Sequence, residues 1–171
     1  MPARDFRSGP WYALALLACL ALAACQARLA PAYDKAVVDG LSTASAEAMT
    51  LLASVSGGTS ASTFSSRQGE YNALIGKLEA LALSAGARPM PKNKVTEAIN
   101  RLLEKRGAQP LEDEDATPPS AHAIRRVAET FAKMRDTDRK QGITAFEAAA
   151  FKGQVQIYLD QAITYENFLQ R

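Results

Sequence analysis

The sequence predicts an all-α fold: an antiparallel bundle of four long helices with one short helix, behind a separate N-terminal segment. Three observations carry that prediction. Beyond residue 32, apolar residues recur in alternating steps of three and four through most of the chain. No segment alternates apolar and polar residues between turn signals, as a half-buried strand would. Alanine, the best helix former, is the commonest apolar residue of the same region.

The first helix is expected from about 32 to 56, with Val37, Leu41, Ala44, Ala48, Leu51, Leu52 and Val55 on its apolar stripe and Asp34 in its first turn. Gly57-Gly58 ends it. The second is expected over 61–85, with Ser60 or Ser62 as N-cap and Tyr71, Leu74, Leu78, Leu81 and Ala85 as its stripe, before the break Arg88-Pro89-Met90-Pro91. A shorter helix fits 92–106, carrying Val95, Ile99, Leu102 and Leu103, with Gly107 after it. Residues 108–119 read as a loop, because Glu112-Asp113-Glu114-Asp115 and Pro118-Pro119 lack periodicity. Thr117 or Ser120 would cap the fourth helix, with the stripe Ile124, Val127, Phe131 and Met134. Thr144 and Glu147 have capping-box spacing at the start of the fifth, whose stripe is Ala148, Phe151, Val155, Tyr158, Ala162, Tyr165 and Leu169.

The remaining N-terminal segment has a different composition. Arg4 and Arg7 precede fourteen uncharged residues, Trp11 to Ala24, too few for a helix to cross the roughly 30 Å hydrocarbon layer. The run suits the apolar region of a secretory signal peptide. It closes on Leu22-Ala23-Ala24-Cys25. These four residues resemble the lipobox of bacterial lipoproteins, in which a branched apolar residue and two small ones precede the Cys. Cys19, after Leu16-Leu17-Ala18, is a poorer match. The resemblance covers residues 1–25 and implies a diacylglyceryl thioether on Cys25, cleavage between Ala24 and Cys25, and acylation of the new amino group. It also implies outer-membrane sorting, because Gln26 stands where Asp commonly retains lipoproteins in the inner membrane. The expected organisation is therefore a signal peptide over 1–24, a lipidated tether over 25–32 and a helical bundle over 33–171. The body would face the periplasm from the inner leaflet of the outer membrane. Apart from the covalent lipid no cofactor is expected.

The chemistry the chain could carry is narrow. With 20 Lys+Arg against 18 Asp+Glu, net charge gives no case for a nucleic-acid partner. Lipidation and signal cleavage leave no free thiol for catalysis or a thiolate metal site. His122 is the only histidine, and no Glu-x-x-His is present, so neither a zinc nor a ferritin-like di-iron site is expected. No Gly-x-Ser-x-Gly elbow or phosphate-cradling loop occurs. Glu112 to Asp115 lacks EF-hand spacing and reads as a solvated loop.

One charge asymmetry has two readings. Arg88, Lys92, Lys94, Arg101, Lys105 and Arg106 outnumber Glu97 and Glu104 just before the acidic run. They form either a solvated short helix or a docking surface for an anionic partner, such as a lipid headgroup or an acidic protein face. The expected function is that of a membrane-anchored, non-catalytic lipoprotein with a binding, scaffold or accessory role, partnered by the membrane and an envelope protein. The alternatives are a bundle holding a small apolar ligand with Tyr33, Tyr71, Tyr158 and Tyr165 as polar handles, an immunity or inhibitor lipoprotein, and an envelope hydrolase.

Overall fold

A computed structural model describes residues 30–91, 101–102, 104–105 and 117–170, and among them every regular element is helical. Four α-helices follow one another: α1 (Lys35–Ser54), α2 (Gln68–Gly86), α3 (Pro119–Gln141) and α4 (Ala145–Phe168), with a 3-10 turn at Ala61–Ser66. α1 packs on α2, α2 on α3, α3 on α4, and α4 more lightly on α1, which closes an all-α four-helix ring. The expected signal peptide over 1–24 and Cys25 lie outside the described residues, as does most of the expected 92–106 helix. Of the latter, Arg101, Leu102, Glu104 and Lys105 are described and are helical.

Local chemistry fixes the helix starts. The Asp34 carboxylate accepts hydrogen bonds from the amides of Ala36 (2.8 Å) and Val37 (3.4 Å), capping α1. The capping box forms at α4: Thr144 Oγ1 accepts from the Glu147 amide (3.2 Å), and Glu147 Oε2 accepts from the Thr144 amide (2.9 Å). The backbone bond from Thr144, then that of its hydroxyl, holds the Glu147 carboxyl below the usual range.

Two starts differ from the sequence expectation. The helix expected over 61–85 is divided: Ala61–Ser66 is a 3-10 turn, Arg67 breaks it, and α2 begins at Gln68. Thr63 and Ser66 hydroxyls donate to the carbonyls three residues back (2.9 and 2.8 Å), bonds that favour the tighter turn over a continuing α-helix. The turn also seats Phe64 in the core, stacked on Tyr71 at 6.3 Å. Neither Thr117 nor Ser120 caps α3. Pro118 holds the cap position without a side-chain bond, Pro119 opens the helix, and Ser120 is buried and used elsewhere.

The turn between α1 and α2 meets the turn between α3 and α4. Thr59 N donates to Ile143 O (2.7 Å), and Ile143 N donates to Thr59 Oγ1 (2.9 Å). Gly58 and Gly142 have φ of +94° and +81°, and a Cβ on Gly142 would overlap the Thr59 carbonyl. Both turns therefore share one end of the bundle. The starts of α1 and α3 and the finishes of α2 and α4 share the other, so the helices run up and down in sequence order. The core between them combines Leu41, Leu52, Leu78, Ile124, Phe131 and Met134 with small contacts such as Ala44, Ala48, Ala85 and Ala162.

Candidate functional site

Among the described residues the charged groups that the bundle buries form two clusters, one at each end, while buried Thr130 donates to Arg126 O within α3 (2.7 Å). At the turn end, Asp138 of α3 is fully buried. Its carboxylate accepts from Arg67 Nε (2.9 Å) and Nη2 (2.9 Å), Thr59 Oγ1 (2.6 Å) and Tyr71 Oη (3.3 Å). Burial alone would push the Asp138 carboxyl up, but the hydrogen bonds from Arg67 and Thr59 outweigh it and hold the group below the usual carboxylate range. Burial, with the Asp138 charge beside it, raises the Tyr71 hydroxyl well above its ordinary value.

At the opposite end, Glu166 of α4 is also fully buried. It accepts from Arg88 Nη1 (2.8 Å) and Nη2 (2.5 Å), a bidentate fork, while Arg88 Nη2 also reaches Ser120 Oγ (3.2 Å) and Arg88 Nε donates to Ala85 O (3.1 Å). Each cluster is satisfied internally. Among the described residues no buried side-chain nitrogen or oxygen lacks a hydrogen-bond partner. The chemistry these groups can perform is therefore structural: they hold helix ends together.

The surface hollows among the described residues include the following. A cleft of about 490 Å³ lies at the end where α1 begins, between Ala32-Tyr33 and Pro89-Met90-Pro91. One of about 680 Å³ lies over the paired turns, with Gly57, Ser60, Arg67 and Thr144 on its walls. A groove of about 400 Å³ runs between α1 and α2 over Leu51 and Leu74, where Lys77 pairs with Glu47.

The residues singled out by sequence are dispersed. Arg88 turns inward to Glu166, its side chain only 9% exposed, so its charge is neutralised within the bundle. Arg101 and Lys105 are exposed on described helical residues, while Lys92, Lys94 and Arg106 lie outside the described residues, as do Ala24 and Cys25. The four tyrosines do not converge. Tyr71 is in the core, Tyr158 lies under Arg126, Tyr165 is half-buried and Tyr33 borders the cleft beside Pro89-Met90-Pro91. His122 is exposed on α3. Among the described residues no three His, Cys, Asp or Glu side chains gather as a metal site, and no helix is long and apolar enough to cross a membrane.

No family model matches the chain, and neither a curated protein nor a solved structure is similar to it.

Sequence reasoning missed both buried acids, although spacing marks them. Asp138 continues the α3 stripe of 124, 127, 131 and 134 by one more step of four. Glu166 continues 155, 159 and 162 in α4 in the same way. A carboxylate at the next stripe position is the signal for a buried, paired acid. A second feature also went unseen: α3 carries six cations, Arg125, Arg126, Lys133, Arg135, Arg139 and Lys140, against the surface acids Glu129 and Asp136.

Proposed function

We propose that the protein is a lipid-anchored envelope lipoprotein whose helical bundle serves as a non-catalytic binding, scaffold or accessory module. The observation that carries this reading is Leu22-Ala23-Ala24-Cys25 at the end of the uncharged run from Trp11. Two acyl chains or more on Cys25 hold firmly, since each buried methylene contributes about 0.8 kcal/mol. Seven residues, Gln26 to Ala32, then separate the lipid from the body and reach at most about 25 Å. The arrangement of the bundle supports the same reading. Tyr33 enters beside the Arg88–Pro91 strap, and the buried charges are committed to holding helices.

The proposed location is the inner leaflet of the outer membrane, with the body in the periplasm. Tethering there confines the body to a thin layer and raises its effective concentration toward partners in that layer. Metabolic labelling with a palmitate analogue tests the anchor. Wild-type protein should be labelled, and Cys25→Ala should be unlabelled and accumulate as uncleaved precursor. Undiminished labelling of Cys25→Ala would refute the assignment. Crosslinking in intact cells, followed by mass spectrometry of the captured proteins, tests the accessory role.

A further inference from the structure

Surface charge is segregated among the four helices. α1 shows Lys35 against Asp39 and Glu47, α2 shows Lys77 against Glu70 and Glu79, and α4 shows Lys152 against Glu147 and Asp160. Each of these three helices is thus mildly acidic. α3 is the reverse, with six surface cations and two surface acids along about 35 Å of helix. Glu129 pairs with Arg126 (2.7 Å), and Asp136 is shared by Arg135 (3.2 Å) and Arg139 (3.4 Å). Among the described residues no carboxylate lies within 4 Å of the Arg125, Lys133 or Lys140 side-chain nitrogens.

The helix beside this row is unusual in a second way. α4 exposes Phe146 (83%), Ile157 (60%) and Phe168 (53%), spaced eleven residues apart, so that three full turns place them on one line of the helix. Ala150 and Gly153 lie on the same side. α4 therefore carries large apolar side chains on its outer line as well as its inner one, with exposed Asp160 and Thr164 between Ile157 and Phe168. The seam between the two helices is marked by Arg126, whose guanidinium lies 5.6 Å from the Tyr158 ring centroid. Cations beside exposed aromatic and aliphatic side chains are the composition of a surface that settles into the headgroup layer of an anionic membrane.

We propose that the α3–α4 side of the bundle docks on anionic phospholipid, so that the anchored body lies along the membrane rather than standing away from it. The inference rests on the anchor proposed above for its geometry: a tether of at most about 25 Å keeps one bundle end near the surface, and the basic side closes the rest of the distance. The acidic surfaces of α1 and α2 then face away from the lipid. Each cation near an anionic surface strengthens association about fivefold, so the α3 cations other than Arg135, which donates to Asn72 of α2 (3.1 Å), are sufficient to set the orientation.

Lysine footprinting of the full chain tests this without reporter groups. The protein is reconstituted into vesicles of phosphatidylcholine alone or of phosphatidylcholine with phosphatidylglycerol. It is acylated briefly with an amine-reactive reagent and read by mass spectrometry. Lys133 and Lys140 should react about tenfold more slowly on the anionic vesicles than on the neutral ones, whereas Lys77, in the α1–α2 groove, should change little. High salt should remove the protection, as should the surface variant Arg125→Gln/Arg139→Gln, in which both reporter lysines remain.

Equal reactivity of Lys133 and Lys140 on both vesicles would overturn the proposal, as would equal protection of Lys77. Protection of Lys133 and Lys140 found only in intact cells, together with a crosslink from α3 to a carboxylate-rich protein, would overturn it in favour of a protein partner. Palmitate labelling of the same preparation reports the anchor separately. An unacylated chain that still shows charge-dependent protection keeps the docking side and removes the anchor.

Discussion

Replacing Asp138 with Ala is expected to remove about 3–5 kcal/mol of stability, the usual consequence of taking one partner from a buried ion pair. The structure indicates where the loss arises. Four hydrogen bonds converge on the carboxylate, two of them from Arg67 at 2.9 Å. In the variant Arg67 keeps its bonds to Thr63 Oγ1 (3.0 Å) and Ser60 O (3.4 Å), but its guanidinium stays mostly buried without a counter-charge. Thr59 keeps its bond from the Ile143 amide, while the buried Tyr71 hydroxyl loses the partner it has in Asp138. An unmatched buried hydroxyl alone costs about 1–3 kcal/mol. Against a total stability of about 5–15 kcal/mol for a domain, the variant should be close to marginal.

Urea titration of the helical circular dichroism signal measures this, with the midpoint moving and the slope unchanged. Arg67→Ala and the double variant complete the cycle, and the double variant should be more stable than additivity allows. The pH dependence supplies a second reading. Asp138 is held below its unfolded value of about 3.9, so its contribution is present above that pH and is lost as pH falls through the lower folded value. Below about pH 4 the wild-type midpoint should therefore fall more steeply than that of Asp138→Ala. A loss under about 1 kcal/mol, with additive single variants, would refute the assignment of Asp138 as a clamp.

Gly142→Ala should destabilise by more than about 2 kcal/mol, because its φ of +81° is strained for Ala and a Cβ would also approach Ser60 Cα to 3.1 Å; Gly57→Ala, which has open space, should be near neutral by the same titration. Thr144→Ala should lose about 1 kcal/mol through the cap, with amide exchange rising first in the opening turn of α4. Glu166→Gln should destabilise more than Ser120→Ala, since it removes the charge that faces Arg88 whereas Ser120 supplies only a neutral bond at 3.2 Å; a reversed order in thermal melts would contradict the described pairing.

The helices were legible because burial repeats with the helical period. Every residue assigned to the first stripe, from Val37 to Val55, is buried, as are Ile124, Val127, Phe131 and Met134 of α3. In α4 the stripe drifted. The sequence follows a strict 3.5-residue spacing through Phe151, Tyr158 and Tyr165, which are only partly buried, while Leu159 and Glu166 occupy the core. A helix of 3.6 residues per turn departs from that spacing by about 20° per heptad, enough to carry the stripe onto its neighbour over three heptads. The buried acids were harder to see. A carboxylate at a stripe position reads as an interruption of the pattern until its distant arginine is known, and Arg67 and Arg88 are 71 and 78 residues from their partners. The basic side of α3 depends on which neighbours cover its flanks, a tertiary fact that one-dimensional spacing does not contain.

The placement of the two arginines explains how an alanine-rich bundle keeps its register. Arg67 immediately precedes α2 and Arg88 follows it by two residues, so α2 is bracketed by inward-turned guanidinium groups. One grips the last turn of α3 through Asp138, and the other grips the last turn of α4 and the first turn of α3 through Glu166 and Ser120. Between these points the buried core includes Ala44, Ala48, Ala82, Ala85, Ala128 and Ala162, small side chains that resist a one-turn slide only weakly. A slide of about 5.4 Å would pull each acid out of reach of its arginine and leave charge buried without a partner. The ion pairs therefore act against wrong registers more than for the right one. α2 is the element through which both ends of the bundle are aligned.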